Sequence, residues 1–217
     1  MRIAVLGTGM VGRAIAGRAA ELGHQVVVGT RDVDATRDGE WGEWAADHPG
    51  ITLAGHADAT AEADLVVNAT NGDGSLPALD AAGAENLAGK VLLDIANPLD
   101  FSQGFPPTLS VVNDDSLGER IQRAFPRTRV VKALNTLTAD LMVHPRQLAD
   151  GDHSVFVSGD DADAKRAVTE LLTSFGHTDV IDLGDITTAR GTEMLLPIWL
   201  RLYGRLGTAL FNVKVVR

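Results

Sequence analysis

The chain opens with a short branched apolar run, Arg2–Leu6, and follows it at once with Gly7-Thr8-Gly9-Met10-Val11-Gly12, the pattern G-x-G-x-x-G. Few sequence features constrain a fold so tightly, because this spacing belongs to the turn between a strand and a helix. Both neighbours are present. A strand ends at Leu6, and small and apolar residues recur at helical spacing over Val11–Leu22 before Gly23 stops the helix. Gly7 then permits the tight turn, Gly9 lets backbone approach a pyrophosphate, and Gly12 lets helix and strand pack closely, with Ala16 keeping that contact small one turn later. Unpaired amides at the helix N-terminus, together with its dipole, favour the negative charge of that pyrophosphate.

Further apolar strands are expected at His24–Gly29, weakly at Ile51–Leu53, and at Asp64–Thr70, Lys90–Ala96 and Arg129–Leu134. Helices are expected at Ala57–Ala63, over residues 75–88, and at Ser116–Phe125, where Ser116 and Glu119 form a capping box. Residues 32–50 show no period, Asn71-Gly72-Asp73-Gly74 reads as a turn, and residues 99–113 read as loop. The tail holds a strand at His153–Ser158, a helix at Asp161–Phe175, a strand at Thr178–Leu183, a long helix from about Ile186 to Leu206 bent at Pro197, and an extended end at Phe211–Val216. Fully apolar strands imply that both sheet faces are covered. The fold class is therefore α/β: a Rossmann-type doubly wound parallel sheet with helices on both faces and a small C-terminal α/β extension.

Composition narrows the partners. Of 217 residues 45% are apolar, enough for a sizeable core, and the net charge of −10 disfavours nucleic acid and anionic membrane. There is no cysteine, which removes disulfides, thiolate catalysis and cysteine-held metals. The six histidines are scattered without metal-ligand spacing and read as surface or turn residues, while Asp160, Asp161 and Asp163 read as helix caps; no metal site is expected. Met1 leads directly into a strand without a charged-then-apolar leader, and Met194–Leu206 is interrupted by Pro197, Arg201 and Arg205 and falls short of the ~20 residues of a membrane span, so the expectation is a cytoplasmic chain.

The end of the second strand selects the dinucleotide. A carboxylate there would hold a ribose 2′-hydroxyl; here stand Thr30 and Arg31, a hydroxyl and a planar cationic fork that suit a 2′-phosphate, so NADP is favoured over NAD. Asp32 reads as a cap pointing away from the ribose. Asn97 and Asn135 follow the fifth and sixth strands, where open parallel sheets bind ligands, and can face the nicotinamide or its partner; Asn97-Pro98 reads equally well as a simple turn. Arg120, Arg123, Arg127, Arg129 and Lys132 read as a solvated basic face, with docking of an anionic cofactor tail as the alternative. Trp41 and Trp44 read as a one-sided helix touching the core, with a lid as the alternative, and Met194, Leu195, Ile198, Trp199, Leu202 and Leu206 as an apolar stripe for core or dimer packing. No catalytic acid, base or nucleophile stands out, as suits hydride transfer, which needs positioning more than proton chemistry.

The runs Arg2–Gly12, Gly23-His24, Val28–Arg31, Asp94–Pro98, Val130–Thr136 and Phe211–Lys214 resemble those of the coenzyme F420-dependent NADP oxidoreductase family, over nearly the whole chain. The resemblance implies an NADP-binding domain at residues 1–140 and a small C-terminal part at 141–217 that closes the second-substrate site. It implies hydride transfer between nicotinamide and C5 of a deazaflavin, with NADP and coenzyme F420 as the small-molecule redox pair, and a homodimer. By that resemblance Thr8, Gly9, Met10 and Val11 hold the pyrophosphate, with Thr30 and Arg31 at the 2′-phosphate. Ala69, Thr70, Ile95, Ala96 and Ala133 line the adenosine, ribose and nicotinamide side, and Phe211 touches the deazaflavin through its backbone. Two departures stand out. Asn71–Gly74, bordering the nicotinamide, is more open and polar than the Pro and bulky residue of archaeal-type members, and Ala35 replaces a basic residue near the 2′-phosphate. The rival readings are an NADPH-dependent reductase of a small carbonyl or imine and a non-enzymatic NADP sensor. The last helix carries no lysine, which counts against a β-hydroxyacid enzyme.

Overall fold

Alternate residues of a strand face opposite sides of a sheet, and here both sides are dry. In β1 (Arg2–Leu6), Ile3 and Val5 enter one apolar cluster while Ala4 and Leu6 enter another. The computed structural model describes residues 1–217. After β1 come α1 (Met10–Glu21), β2 (Gln25–Thr30), α2 (Val33–Arg37), α3 (Glu40–Ala46), β3 (Ile51–Gly55), α4 (His56–Ala61) and β4 (Leu65–Asn68). Next are α5 (Gly72–Ala82), α6 (Ala84–Leu87), β5 (Val91–Asp94), the small hairpin of β6 (Leu99–Asp100) and β7 (Thr108–Leu109), α7 (Leu117–Ala124) and β8 (Arg129–Ala133). The chain closes with α8 (Ala139–Val143), β9 (Ser154–Ser158), α9 (Ala162–Phe175), β10 (Asp179–Gly184), α10 (Ala189–Glu193) and α11 (Leu196–Leu206).

Eight strands form one sheet in the order β10-β9-β8-β5-β4-β1-β2-β3. From β1 the chain steps outward to β2 and β3, then returns to β4 on the other side of β1. That reversal opens a crevice at the carboxyl ends of β1 and β4, where α/β folds place ligands. Helices α1, α3, α8 and α9 cover one face around Ile15, Trp41, Leu141 and Leu172; α5, α6 and α7 cover the other around Leu79, Leu87 and Ile121. Trp41 is buried with Trp44 packed beside it, as a one-sided helix requires.

Five expectations need correction. The sheet is not wholly parallel, because β9 pairs antiparallel with β8. The stretch 32–50 holds two short helices, the first capped by the Asp32 carboxylate accepting from Ala35 N–H at 3.0 Å. Asn71–Gly74 is not a free turn but the cap and first turn of α5, with Asn71 Oδ1 accepting from Gly74 N–H at 2.7 Å. The loop at 99–113 contains the β6–β7 hairpin, and the long last helix is broken before Pro197 into α10 and α11. Pro197 lacks an N–H and fits only the first turn of a new helix. No helix is long and apolar enough to cross a membrane.

Candidate active site

The turn after β1 is shaped by backbone crowding. Gly7 sits at φ +123°, and a Cβ there would meet Ala69 O at 2.5 Å, the first residue past β4. A Cβ on Gly12 would fall 2.0 Å from Gly7 O, so the first turn of α1 rests directly on the loop. Gly9 is different: a Cβ there would meet nothing within 4 Å, and it would project into the space the loop leaves open. No side chain caps α1 and no acid stands in its first turn, which leaves its amides for a ligand. A cradle that a side chain would fill, at an uncapped helix start, fits a pyrophosphate.

From this cradle a groove of about 710 Å³ runs between Gly7–Gly9 and Ala69–Asn71 to the end of β2. There Thr30 Oγ1 and Thr36 Oγ1 share a hydrogen bond of 2.8 Å. Asp32 is occupied as the α2 cap and Asp34 pairs with Arg37, so exposed Arg31 is left as the free cation of this end. His56 also lines the groove, although only 6% of it is exposed.

A second cavity of about 450 Å³ meets the groove at Ala69, Thr70, Asn71 and Asp73. Its walls are mostly apolar, with Val11, Ile95, Ala96, Phe101, Leu137 and Met142 beside Asn97 and Asp100. The α5 start can close against the β5 end only because residue 72 is glycine; a Cβ would meet Asn97 O at 2.4 Å. The Ser102 backbone N–H donates to Asp100 at 2.8 Å and holds that carboxyl below the usual aspartate range, so it is ionised at neutral pH.

Beneath the junction of the two cavities lies a buried polar network. Lys132, fully buried on β8, sets its Nζ 2.8 Å from Asp94 Oδ2 on β5 and 2.8 Å from Glu193 Oε1 on α10, and also donates to Ala96 O. Burial opposes the ammonium charge, but the Asp94 and Glu193 carboxylates outweigh it and hold the pKa above the ordinary lysine value. Glu193 also accepts from the Leu117 and Gly118 amides at the start of α7. Asp94 accepts from Asn68 Nδ2 at 2.8 Å, and Asn68 Oδ1 accepts from the hydroxyl of Thr70, which lines both cavities. The neighbouring Asn135 donates to Asn97 Oδ1 and to Thr192 O, while the Asn97 amide donates to Asn135 O. Those bonds hold the turn where Leu134 takes φ 61°, a strained value for leucine.

Most of the expected residues converge. Gly7, Thr8, Gly9, Thr30, Arg31, Ala69, Thr70 and Asn71 line the groove, and Val11, Ile95, Ala96 and Asn97 line the second cavity. Met10, Gly12, Ala133, Asn135 and Phe211 line neither: Met10 points outward, Gly12 packs on the loop, and Ala133 is sealed in β8. The Phe211 ring lies against Trp199 at 5.1 Å.

The basic stretch divides. Arg120 and Arg123 bind Asp115, Arg127 binds Glu85 and Arg129 donates to Gly89 O, a solvated face as expected; Lys132 belongs to the core instead. The alternation of its strand put Lys132 among Val130, Val131 and Ala133, and its register partner is Asp94, a signal the sequence held but only pairing reveals. Three of the six histidines, His56, His153 and His177, are buried rather than superficial.

A Rossmann sheet with this cradle, a groove ending at a free arginine and an adjoining cavity defines an NADP-dependent oxidoreductase. The chain belongs to the coenzyme F420-dependent NADP oxidoreductase family. The sequence model of that family, described as NADP oxidoreductase coenzyme F420-dependent, matches residues 2–98. A crystal structure of a candidate F420-dependent NADP-reductase from Arthrobacter sp. FB24 is 64% identical, covers 100% of both chains and superposes with a TM-score of 0.98. The F420-dependent NADP reductase of Methanothermobacter marburgensis is 29% identical over 209 residues, 93% of this chain and 92% of that protein. The rat metalloreductase STEAP3 is 32% identical over 203 residues; the match takes in 91% of this chain but spans only 38% of that protein's length.

Proposed function

We propose that the enzyme transfers hydride between NADP(H) and the deazaflavin of coenzyme F420. NADPH supplies the hydride and its electron pair from the nicotinamide, and C5 of the deazaflavin accepts them; the reverse direction uses the same geometry. The observation that carries this reading is the largely apolar cavity of about 450 Å³ that meets the dinucleotide groove at Ala69–Asn71 and leaves room for a second planar ring beside the nicotinamide. In this reading the amides after Gly9 hold the pyrophosphate, and Thr30 and Arg31 hold the 2′-phosphate. The walls of Val11, Ile95, Leu137 and Met142 keep water from the reacting carbons. Residues 141–217 act as the part that closes this second site, anchored by Glu193, whose carboxylate meets Lys132 Nζ of β8 at 2.8 Å. The exposed stripe of Ile198, Leu202 and Leu206 on α11 supports a homodimer, tested by the mass of the particle in solution.

A second reading, reduction of a cationic imine, is favoured by one observation: two carboxylates, Asp73 and Asp100, line the same cavity. Mixing the protein with NADPH and coenzyme F420 and following the deazaflavin absorbance separates the two. NADH, FMN, a ferric chelate and a cyclic imine serve as controls. NADPH-dependent bleaching supports the deazaflavin reading; tight NADPH binding without bleaching, alongside turnover of the imine, replaces it with the second.

A further inference from the structure

The groove end at β2 is short of donors for the ligand it is read to hold. A 2′-phosphate carries up to two negative charges and three acceptor oxygens. Of the side chains around it, Asp32 is an acceptor already used as a cap, Ala35 offers nothing, and Thr30 and Thr36 share a hydrogen bond that leaves one hydroxyl hydrogen between them. Arg31 is a single cation.

His56 supplies what is missing. It is the first residue of α4, directly after Gly55, which pairs in register with Thr30. The ring is tucked under β2: a Cβ on Gly29 would lie 3.0 Å from His56 Nδ1 and 2.6 Å from Leu6 Cδ2, so glycine at position 29 is what admits it. Nδ1 is sealed from water and has no hydrogen-bond partner. Nε2 also makes no hydrogen bond but is not sealed, and the residue forms part of the groove wall. Burial first, and the nearby Arg31 guanidinium second, hold the imidazole below its ordinary pKa, so the ring is neutral at pH 7. A neutral ring has one N–H. A buried N–H without an acceptor is the rarer orphan, so the proton belongs on Nε2, the open nitrogen.

We infer that His56 is a specificity-determining residue for NADP, its Nε2–H donating to the 2′-phosphate alongside Arg31. A charge-assisted bond from a partly desolvated donor is among the stronger kinds, and NAD, which has no 2′-phosphate, gains nothing from it. The inference rests on the reading that this end of the groove takes the 2′-phosphate.

The test measures equilibrium binding of NADPH and NADH to the wild type, His56→Gln, His56→Asn and Arg31→Gln, with the ³¹P resonance of the 2′-phosphate of bound NADP⁺ as a second readout. Glutamine places an amide N–H near the position of Nε2, and asparagine reaches only that of Nδ1. Both are polar and small enough to fold in the same pocket. His56→Asn is expected to weaken NADPH about tenfold or more with NADH changed less than about twofold, and to shift the ³¹P resonance. His56→Gln is expected to keep most of the discrimination. Equal weakening of both nucleotides by Asn would overturn the inference, making the ring a packing element. An unchanged NADPH-to-NADH ratio in the histidine variants with the ratio lost in Arg31→Gln would overturn it too, while leaving the phosphate reading intact. If Arg31→Gln also leaves the ratio unchanged, the phosphate reading itself fails and the role of His56 fails with it.

Discussion

The two ends of the ligand cleft are built from different materials. At the pyrophosphate end the shape comes from backbone: Gly7 at positive φ against Ala69 O, Gly12 against Gly7 O, and the uncapped start of α1. At the junction with the second cavity the shape comes from side chains reaching across the fold, with Lys132 between Asp94 and Glu193, and Asn135 between Asn97 and Thr192. A backbone-built site tolerates any side chain that leaves the main chain alone, but no added atom where strands and helices touch. A site built from buried charges tolerates added volume poorly and the loss of one charge worse, because each partner has been stripped of water.

Gly12→Ala is the harshest way to probe that contrast. Its Cβ lands 2.0 Å from a backbone oxygen that has nowhere to go, so a cost of about 3 kcal/mol or more and loss of NADPH binding are expected. Urea unfolding with NADPH titration checks both, and near-normal binding would mean that the loop is softer than its contacts imply.

Lys132→Met attacks the other end. It leaves Asp94 and Glu193 buried without their cation, and about 3–5 kcal/mol of stability should go. Adding Glu193→Gln should return part of it, since one uncompensated charge is then removed. If the single variant costs less than about 1 kcal/mol, the network is not held together by charge.

The C-terminal layer behind the second cavity should respond to acid. His177 donates from Nε2 to the backbone O of Met142, a cavity wall, and packs edge-on to His153. Burial lowers its pKa to about 4 from 6.5. Above pH 6.5 the group is neutral in both states and this contribution is whole. Between 6.5 and 4 the unfolded chain takes a proton that the folded chain refuses, so stability drains as pH falls through that window, by up to about 3 kcal/mol. His177→Gln should flatten this segment of the stability–pH curve; an unchanged slope would show that His177 is not its source.

Asp100→Asn is the mildest. It should leave the NADPH Kd unchanged and move only the second substrate. The KM is expected to fall about threefold for the anionic deazaflavin cofactor and to rise by a similar factor for a cationic imine, by simple charge attraction and repulsion. The sign of that change therefore separates the two readings of the cavity.

What could be seen in advance follows the same divide. Gly7-x-Gly9-x-x-Gly12 and the strand before it could be placed from residues adjacent in sequence, and so could Thr30 and Arg31 at the end of β2. Of the capping box expected at Ser116 one half forms, with Ser116 Oγ accepting from Glu119 N–H at 3.1 Å; the Glu119 carboxylate takes the Ser116 hydroxyl and Arg190, and the Ser116 amide donates to Asp115 instead. Lys132 looked like one more member of a basic stretch, because its neighbours in sequence are arginines while its neighbours in space are Asp94 and Glu193. His56 carried no local signal, since its burial depends on a glycine two strands earlier.

Sequence alone therefore determined the apolar strands, the starts of α1, α7 and α9 and the phosphate turn, because each is set by steric and hydrogen-bonding rules acting within a few residues. Tertiary structure decided that β9 runs against β8, that α10 and α11 are separate helices, and that a lysine, an aspartate and a glutamate share one buried site. Those outcomes depend on which surfaces lose their water together, and that is fixed only when segments far apart in the chain have packed.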